Sequence, residues 1–157
     1  MKLLDTATSS SPEGCAAAVI DTAFLVVRLV RAEIRESRPA QLSLQQVRAL
    51  ACVERAAGAS LSMVAEQIGL ALPSASHLVD GLVRRGLLAR RNDADDRRRI
   101  RLDLTARGTA SLRRAMDLAR TTVAERLAGL TASERRALVE SMDLLRPHLG
   151  SEAPPAK

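Results

Sequence analysis

The stretch from residue 82 to residue 108 constrains the fold most, because a helix end, two strand patterns and a charged tip follow one another there. A helical pattern stops at Gly86. Residues 87–91 and 100–104 then have strand character, the second with strict alternation of apolar and polar side chains. The residues between the two strand patterns are almost all polar or charged. This order predicts a β-hairpin directly after a helix, with the hairpin tip in solvent.

Arginine is concentrated in the same stretch. Residues 84–107 contain nine Arg and four Asp, a net +5 of the +6 that the whole chain carries. A focused basic cluster on a small arm is typical of proteins that neutralise nucleic-acid phosphates. The alternative is a solvated basic face. Because Phe24 is the only aromatic residue, binding of single strands by base stacking is disfavoured. The pattern favours double-stranded DNA as the partner.

Composition limits the other classes of protein. The chain has 157 residues, of which 46% are hydrophobic and 1% aromatic. This predicts an aliphatic core of packed helices in one domain, or in a small domain with an appended helical part. The two Cys and two His lack the spacing of metal ligands, and no catalytic motif is present. We therefore expect no metal, no cofactor and no enzymatic activity.

The most apolar stretch, residues 15–30, is interrupted by Asp21 and Arg28. A membrane span needs roughly 20 apolar residues, and no secretory signal pattern precedes this stretch. We expect a soluble, cytoplasmic protein without membrane contact. A helix over these residues would be apolar nearly all round as far as Val30, and such a helix must be covered on most faces. This pattern predicts a partner subunit.

Helical periodicity with start and stop signals predicts six helices. The third and fourth are separated only by residues 69–72, which is the spacing of a helix-turn-helix, and a hairpin after this motif is a wing. The predicted fold is mainly α, a winged helix-turn-helix with a two- or three-stranded β-wing. Residues 1–13 and 150–157 are expected to be disordered tails. The predicted helices cover residues 15–37, 43–57, 62–68, 73–85, 106–128 and 131–145.

Hydroxyl side chains mark three of the predicted helix starts. Ser43 and Thr105 are expected N-caps, and Thr131 with Glu134 forms a capping box. Within the second helix, Cys52 lies near the edge of an apolar stripe and is expected to be a buried, inert thiol.

The wing and the residues after it resemble the MarR-type (multiple antibiotic resistance regulator) family of bacterial transcription factors. That family has an Asp-Pro-x-Asp-Arg-Arg tip and, several residues later, Leu-Thr-x-x-Gly. Residues 73–88 are also similar to its recognition helix. The chain departs from the pattern at Ala94 instead of Pro, at Ala71 where Ser often caps, and at His77 where Arg is common. The matching residues are Asp93-Ala94-Asp95-Asp96-Arg97-Arg98 and Leu104-Thr105-Ala106-Arg107-Gly108.

The resemblance covers roughly residues 18–148 and implies a homodimer. Residues 14–38 and 106–149 would form the helical dimerisation region, and residues 39–105 the DNA-binding lobe. It implies a transcriptional regulator, expected to be a repressor that a small molecule releases from a pseudo-palindromic operator. Helix 73–85 would enter the major groove and wing 88–104 would face the minor groove. The alternative is an architectural or protein-binding winged-helix module without operator specificity.

Outward positions of helix 73–85 and the arginines of the wing are the expected DNA contacts. Asp80 is expected to pair with an arginine, because a bare carboxylate would be repelled by phosphates. Asp93 and Asp96 are expected to structure the wing by accepting hydrogen bonds from its backbone and from Arg97. Which wing arginine reaches the minor groove is left open. The expected DNA-binding residues are Pro73, Ser74, Ser76, His77, Arg84, Arg91, Arg97, Arg98 and Arg99.

Two features of the first helix suggest regulation. Arg28, Arg31 and Arg35 line one side of the helix, and the resemblance implies a cleft there for a small phenolic or carboxylate effector. In the hydroperoxide-sensing branch of the family a cysteine near the start of this helix is the sensor, and Cys15 has that place. The positive end of a helix favours a reactive thiolate. That branch also places Tyr around the sulfur, and this chain has none. The alternatives for Cys15 are thus a peroxide sensor and an ordinary thiol.

Overall fold

The computed structural model describes residues 11–36, 42–92 and 100–149, with side chains except at positions 34–36. The architecture is mainly α with one two-stranded antiparallel sheet, which confirms the predicted fold class. The elements are α1 (Pro12–Glu36), α2 (Leu44–Arg55), α3 (Leu61–Ile68), α4 (Leu72–Arg84), β1 (Leu88–Asn92), β2 (Ile100–Leu104), α5 (Ala106–Leu127), α6 (Ala132–Leu145) and a 3₁₀ turn (Arg146–Leu149).

The predicted N-caps at Ser43 and Thr131 are confirmed, each within a complete capping box. The third helix begins one residue earlier than expected, at Leu61, because the Ser60 hydroxyl caps it by accepting from the Met63 amide at 3.2 Å. A similar cap places the start of α1 at Pro12, inside the segment assigned to the N-terminal tail. There the Ser11 hydroxyl accepts from the Gly14 amide at 3.1 Å.

The hairpin pairs Leu88 with Leu104 at its base and Asn92 with Ile100 at the far end. β2 matches its predicted bounds, and β1 begins one residue later than predicted. The Leu102 amide also donates to the Ala59 carbonyl at 2.9 Å, so the turn between α2 and α3 adds an isolated bridge to the other edge of β2. The wing is thus two-stranded with a one-residue third partner. The tip, residues 93–99, lies outside the described residues.

The core of the winged lobe is aliphatic, as the composition predicted. Leu50 from α2, Val64 from α3, Val79 and Leu82 from α4 and Leu102 from β2 are all fully buried. Burial of one such side chain contributes about 1.5–3 kcal/mol. The inward face of α4 consists of Ala75, Val79 and Leu82, which are buried, and of Leu78, which is half-buried. Cys52 is buried, as expected.

The chain divides into two compact units, residues 1–122 and residues 123–157. The first contains α1 and the winged lobe, and the second contains the end of α5, α6 and the 3₁₀ turn. The predicted grouping of residues 14–38 with 106–149 concerns contacts with a second copy and stays a prediction. Among the described helices, none combines the length and the apolar character needed to cross a membrane.

Candidate nucleic-acid interface

A tight turn joins α3 to α4. Gly69 ends α3 in the left-handed conformation at φ 70°, and the Leu70 amide donates to the Ala65 carbonyl at 2.9 Å. Arg48 on α2 reaches the same helix end, where its Nη2 donates to the Gln67 carbonyl at 2.8 Å. A cation at a helix C-terminus is favourable. Arg48 therefore helps to hold the helix-turn-helix angle, a role that the sequence pattern did not reveal.

The outward face of α4 carries most of the predicted DNA contacts from this helix. Pro73, Ser74, His77 and Arg84 are exposed, and Ser76 is half-buried. Because residues three or four apart lie on one side of a helix, Ser74, His77 and Arg84 follow one row together with position 81. This face presents hydroxyl, imidazole and guanidinium donors to whatever approaches the lobe.

The N-terminus of α4 has no side-chain cap. Its N-cap residue is Ala71, and Pro73 occupies the first turn. By contrast, Ser43, Ser60 and Thr131 all accept a backbone N–H at the helices they begin. Uncapped amides and the helix dipole together favour an anion at this end. A phosphate oxygen can therefore accept hydrogen bonds where α4 begins.

Asp80 forms the ion pair that the sequence predicted. Nη2 of Arg90 donates to Asp80 Oδ1 at 2.6 Å, which joins α4 to β1. The two side chains are 38% and 34% exposed, so the pair contributes only about 0–1 kcal/mol to stability. Its clearer consequence is electrostatic, since it neutralises the one carboxylate on the outer side of α4.

Arg91, a predicted DNA contact, pairs across the hairpin. Its Nε donates to Asp103 Oδ2 at 2.7 Å, while its side chain remains 72% exposed. This hydrogen bond lowers the pKa of the Asp103 carboxyl and raises the pKa of Arg91. The Gly58 amide also favours the Asp103 carboxylate and helps to lower its pKa. Arg91 is therefore anchored through Nε and still reaches solvent.

The turn before α3 packs against the same strand. Gly58 has φ 74°, and a Cβ at this position would lie 2.9 Å from both Cδ and Nη1 of Arg101. A side chain larger than hydrogen is thus opposed by the backbone conformation and by the Arg101 side chain. The bridge between Ala59, next in this turn, and Leu102 holds the wing to the body of the lobe.

The Leu-Thr-x-x-Gly segment acts as a joint between three elements. The Thr105 hydroxyl donates to the Gly86 carbonyl at 2.7 Å, just after α4, and accepts from the Gly108 amide at 2.9 Å in α5. Thr105 is thus the predicted N-cap and also a tie between β2 and the end of α4. A Cβ on Gly108 would lie 2.0 Å from the Leu87 carbonyl oxygen. Both positions belong to the family motif. Their role in holding β2, α4 and α5 together could not be read from the motif alone.

Several predicted residues cannot be placed. Asp93, Asp96 and the arginines 97–99 belong to the tip, outside the described residues, as does the side chain of Arg35. Arg28 and Arg31 are exposed on α1, and Cys15 is exposed in its first turn. Within the ranges that the structure describes, no group of three His, Cys, Asp or Glu side chains is arranged to hold a metal ion.

Comparison with solved structures supports the architecture. The chain is similar to RV1404 from Mycobacterium tuberculosis, with a TM-score of 0.77 and 23% identity over 94% of this chain and 99% of that one. It is similar to the transcriptional repressor CouR bound to a 23-mer DNA duplex, with a TM-score of 0.64 and 27% identity over 90% and 96% of the two chains. It is also similar to the M. tuberculosis MarR family protein Rv2887 in complex with p-aminosalicylic acid, with a TM-score of 0.68 and 23% identity over 83% of this chain and 96% of that one.

A search of curated protein sequences found no significant match. A family model does match, over residues 42–100, which run from the residue before the Ser43 cap to the start of β2. This segment contains the helix-turn-helix, with residues 73–88 that resemble the family's recognition helix, and the first strand of the wing; the Leu104-Thr105-x-x-Gly108 motif lies after it. Over these residues the winged helix-turn-helix lobe is therefore similar to the MarR family.

Proposed function

We propose that the protein is a homodimeric transcriptional repressor that binds a pseudo-palindromic operator. The observation that carries the proposal is the exposed row of donors on α4, within and next to the segment 84–107 that carries a net +5 of the +6 of the chain. MarR proteins are transcriptional regulators and not enzymes, and the CouR repressor, at 27% identity, is bound to a DNA duplex.

In this proposal α4 enters the major groove. Ser74, at the uncapped end, donates to a phosphate, and His77 donates to a phosphate or to a guanine acceptor. Arg84, two turns further along, reaches a phosphate or the guanine edge with its fork of donors. Pro73 and Ser76 border this row. The Asp80–Arg90 ion pair supports the contact by removing a charge that would repel the DNA backbone.

The wing lies against the neighbouring minor groove. Arg91 faces the phosphates from its anchored position on β1, and the tip supplies Arg97, Arg98 and Arg99. Narrow, A·T-rich minor grooves concentrate negative potential and attract arginine. Asp93 and Asp96 shape the tip as hydrogen-bond acceptors.

A second copy of the chain covers the apolar surface of α1. Phe24 is 69% exposed, Leu25 57% and Ile20 53%, and a monomer rarely exposes so contiguous an apolar patch. In the second unit, α6 and the turn after it expose Val139, Leu144 and other aliphatic side chains. A dimer would place two copies of α4 about 34–36 Å apart, one turn of DNA, which is why the operator is expected to be a pseudo-palindrome.

Release from DNA would come from a small phenolic or carboxylate effector. Arg28 and Arg31 are exposed on α1 and supply charge that would attract a carboxylate. The Rv2887 structure contains p-aminosalicylic acid, a compound with both groups. For this chain the arginines on α1 are the support for the proposal.

The test is titration of the full chain onto the DNA beside its own gene, against scrambled DNA of equal length, at fixed physiological salt. Specific binding by one dimer, tighter than scrambled DNA by about a thousandfold or more, would support an operator-reading regulator. Equal affinity for both duplexes across all sites found genome-wide would favour an architectural role instead. Sedimentation of the free protein as a monomer would refute the dimer.

Arg98→Ala tests the wing. It should weaken specific binding by about 1–3 kcal/mol if the side chain makes a groove contact. The matched control is Arg55→Ala, which removes the same charge from the exposed surface of α2, outside the predicted dimerisation region. Unchanged affinity of the Arg98 variant, with the control also unchanged, would remove this residue from the interface.

A further inference from the structure

Neither the backbone conformation nor the packing of the protein requires glycine at position 81. It lies in the interior of α4 with ordinary helical backbone, and a Cβ built on it would meet only Nη2 of Arg84, at 4.0 Å. That distance is an ordinary contact and needs no adjustment. Glycine in a helix interior is less favourable than alanine because it loses more backbone freedom on folding. The chain therefore carries a destabilising residue where alanine would fit.

Other glycines of the lobe contrast with this one. Gly58, Gly69 and Gly86 all have positive φ, which side chains other than hydrogen oppose. Gly108 has helical backbone, but the Leu87 carbonyl oxygen occupies the space that its Cβ would need. Backbone conformation or packing explains each of these four glycines, and neither explains Gly81.

Position 81 belongs to the outward row of α4. It lies between His77 and Arg84, one turn from His77 and two turns from Ser74. We propose that Gly81 is the point of closest approach between α4 and the major groove, where the absence of a side chain lets the base edges contact the helix backbone. This inference rests on the proposed function, because it assumes that α4 enters DNA. A residue that lowers helix stability and brings no compensating contact within the fold is expected at functional sites.

The physical reason lies in the reach of the neighbouring side chains. His77 is short, and a hydrogen bond from its ring weakens steeply beyond about 3.2 Å. A methyl group between His77 and Arg84 would hold the groove away from the helix and stretch the contacts of both. Gly81 thus acts as a positioning residue, which sets the depth of the helix and makes no hydrogen bond through a side chain of its own.

The test is Gly81→Ala, for which stability and DNA affinity should change in opposite directions. The midpoint temperature of thermal unfolding should rise by about 2–4 °C in the variant, because alanine has the higher helix propensity. Affinity for the specific duplex, measured by fluorescence anisotropy at fixed salt, should fall at least tenfold, and Gly81→Leu should lose more. Affinity for scrambled DNA should change much less, because loose binding through phosphates does not need the helix at full depth.

Glu54→Ala is the matched control, since Glu54 is exposed on α2, outside α4 and the predicted dimerisation region, and the change also raises helix propensity. It should raise the unfolding temperature and leave the ratio of specific to scrambled DNA affinity unaltered. If Gly81→Ala is stabilised and binds the specific duplex as tightly as the natural chain, the inference is wrong while the proposed function stands. If the natural chain itself fails to prefer any specific duplex, the proposed function is wrong and this inference falls with it.

Discussion

Gly108→Ala should destabilise the winged lobe strongly, although alanine is the better helix former. Gly108 is in the first turn of α5, and a Cβ would lie 2.0 Å from the Leu87 carbonyl oxygen and 2.9 Å from Leu104 Cδ2. Carbon and oxygen atoms need about 3.3 Å, so α5 and the Leu87 backbone must separate by about 1 Å or more. The Leu87 oxygen cannot move alone, because it accepts from the Thr105 amide at 3.2 Å.

The size of the effect follows from what that separation disturbs. Forcing extra volume into a packed site costs about 1–3 kcal/mol. Weakening the two hydrogen bonds that join Thr105 to Gly86 and Leu87 adds about 0.5–1.5 kcal/mol each. The helix propensity gained by alanine offsets less than about 1 kcal/mol. The middle of these ranges corresponds to a net loss of unfolding free energy of about 2–4 kcal/mol.

Urea unfolding at fixed protein concentration measures this loss. With a slope near 2 kcal/mol/M, the midpoint should fall by about 1–2 M. Gly81→Ala is the matched control, because the same chemical change is made in a helix where the space is open, and its midpoint should rise by about 0.3–0.5 M. A midpoint for Gly108→Ala at or above that of the natural chain would refute the steric argument.

Three further predictions concern caps, charges and thiols. Ala71→Ser gives α4 the side-chain cap that it lacks and should raise the unfolding free energy by about 1 kcal/mol; an unchanged urea midpoint would argue against it. The pKa values of Asp103 and Glu134 are lowered in the folded chain. Their stabilisation is therefore complete above the unfolded pKa values of about 4 and is lost as the pH falls through the folded ones. The midpoint of an Asp103→Asn, Glu134→Gln double variant should thus fall less between pH 6 and pH 3 than that of the natural chain. A thiol reagent should modify exposed Cys15 rapidly and buried Cys52 only on unfolding; equal rates for both would contradict the burial.

The caps and the wing show how far local patterns carry. A hydroxyl before an apolar run places the start of a helix because the cap bond closes within three residues, and Ser43 and Thr131 were found in this way. The predicted start of the third helix, residue 62, was one residue late, because only the folded backbone shows that the Ser60 hydroxyl accepts the cap hydrogen bond. The alternation in residues 100–104 predicted the bounds of β2 correctly, because its apolar residues share one face, on which Leu102 is buried and Leu104 half-buried.

The partners of the charged side chains could not be predicted from the sequence. An arginine partner for Asp80 was expected on electrostatic grounds, but eight other arginines lie in the same stretch as Arg90. The choice of Arg90 depends on how β1 leaves α4. Likewise, Asp103 faces Arg91 because the hairpin register brings the two side chains together. A sequence lists the charges, whereas their distances are set by the packing of separate elements.

The sequence by itself determined the helices, the hairpin, the resemblance to the MarR family and the location of the positive charge, because each depends on residues close together in the chain. Only the tertiary structure decided which arginines are anchored, which face of α4 is open, and which glycines the fold requires. Gly81 and Gly108 are both helical glycines in the sequence. They differ because α5 packs against the Leu87 backbone at Gly108, while α4 leaves the space beside Gly81 open to an incoming partner.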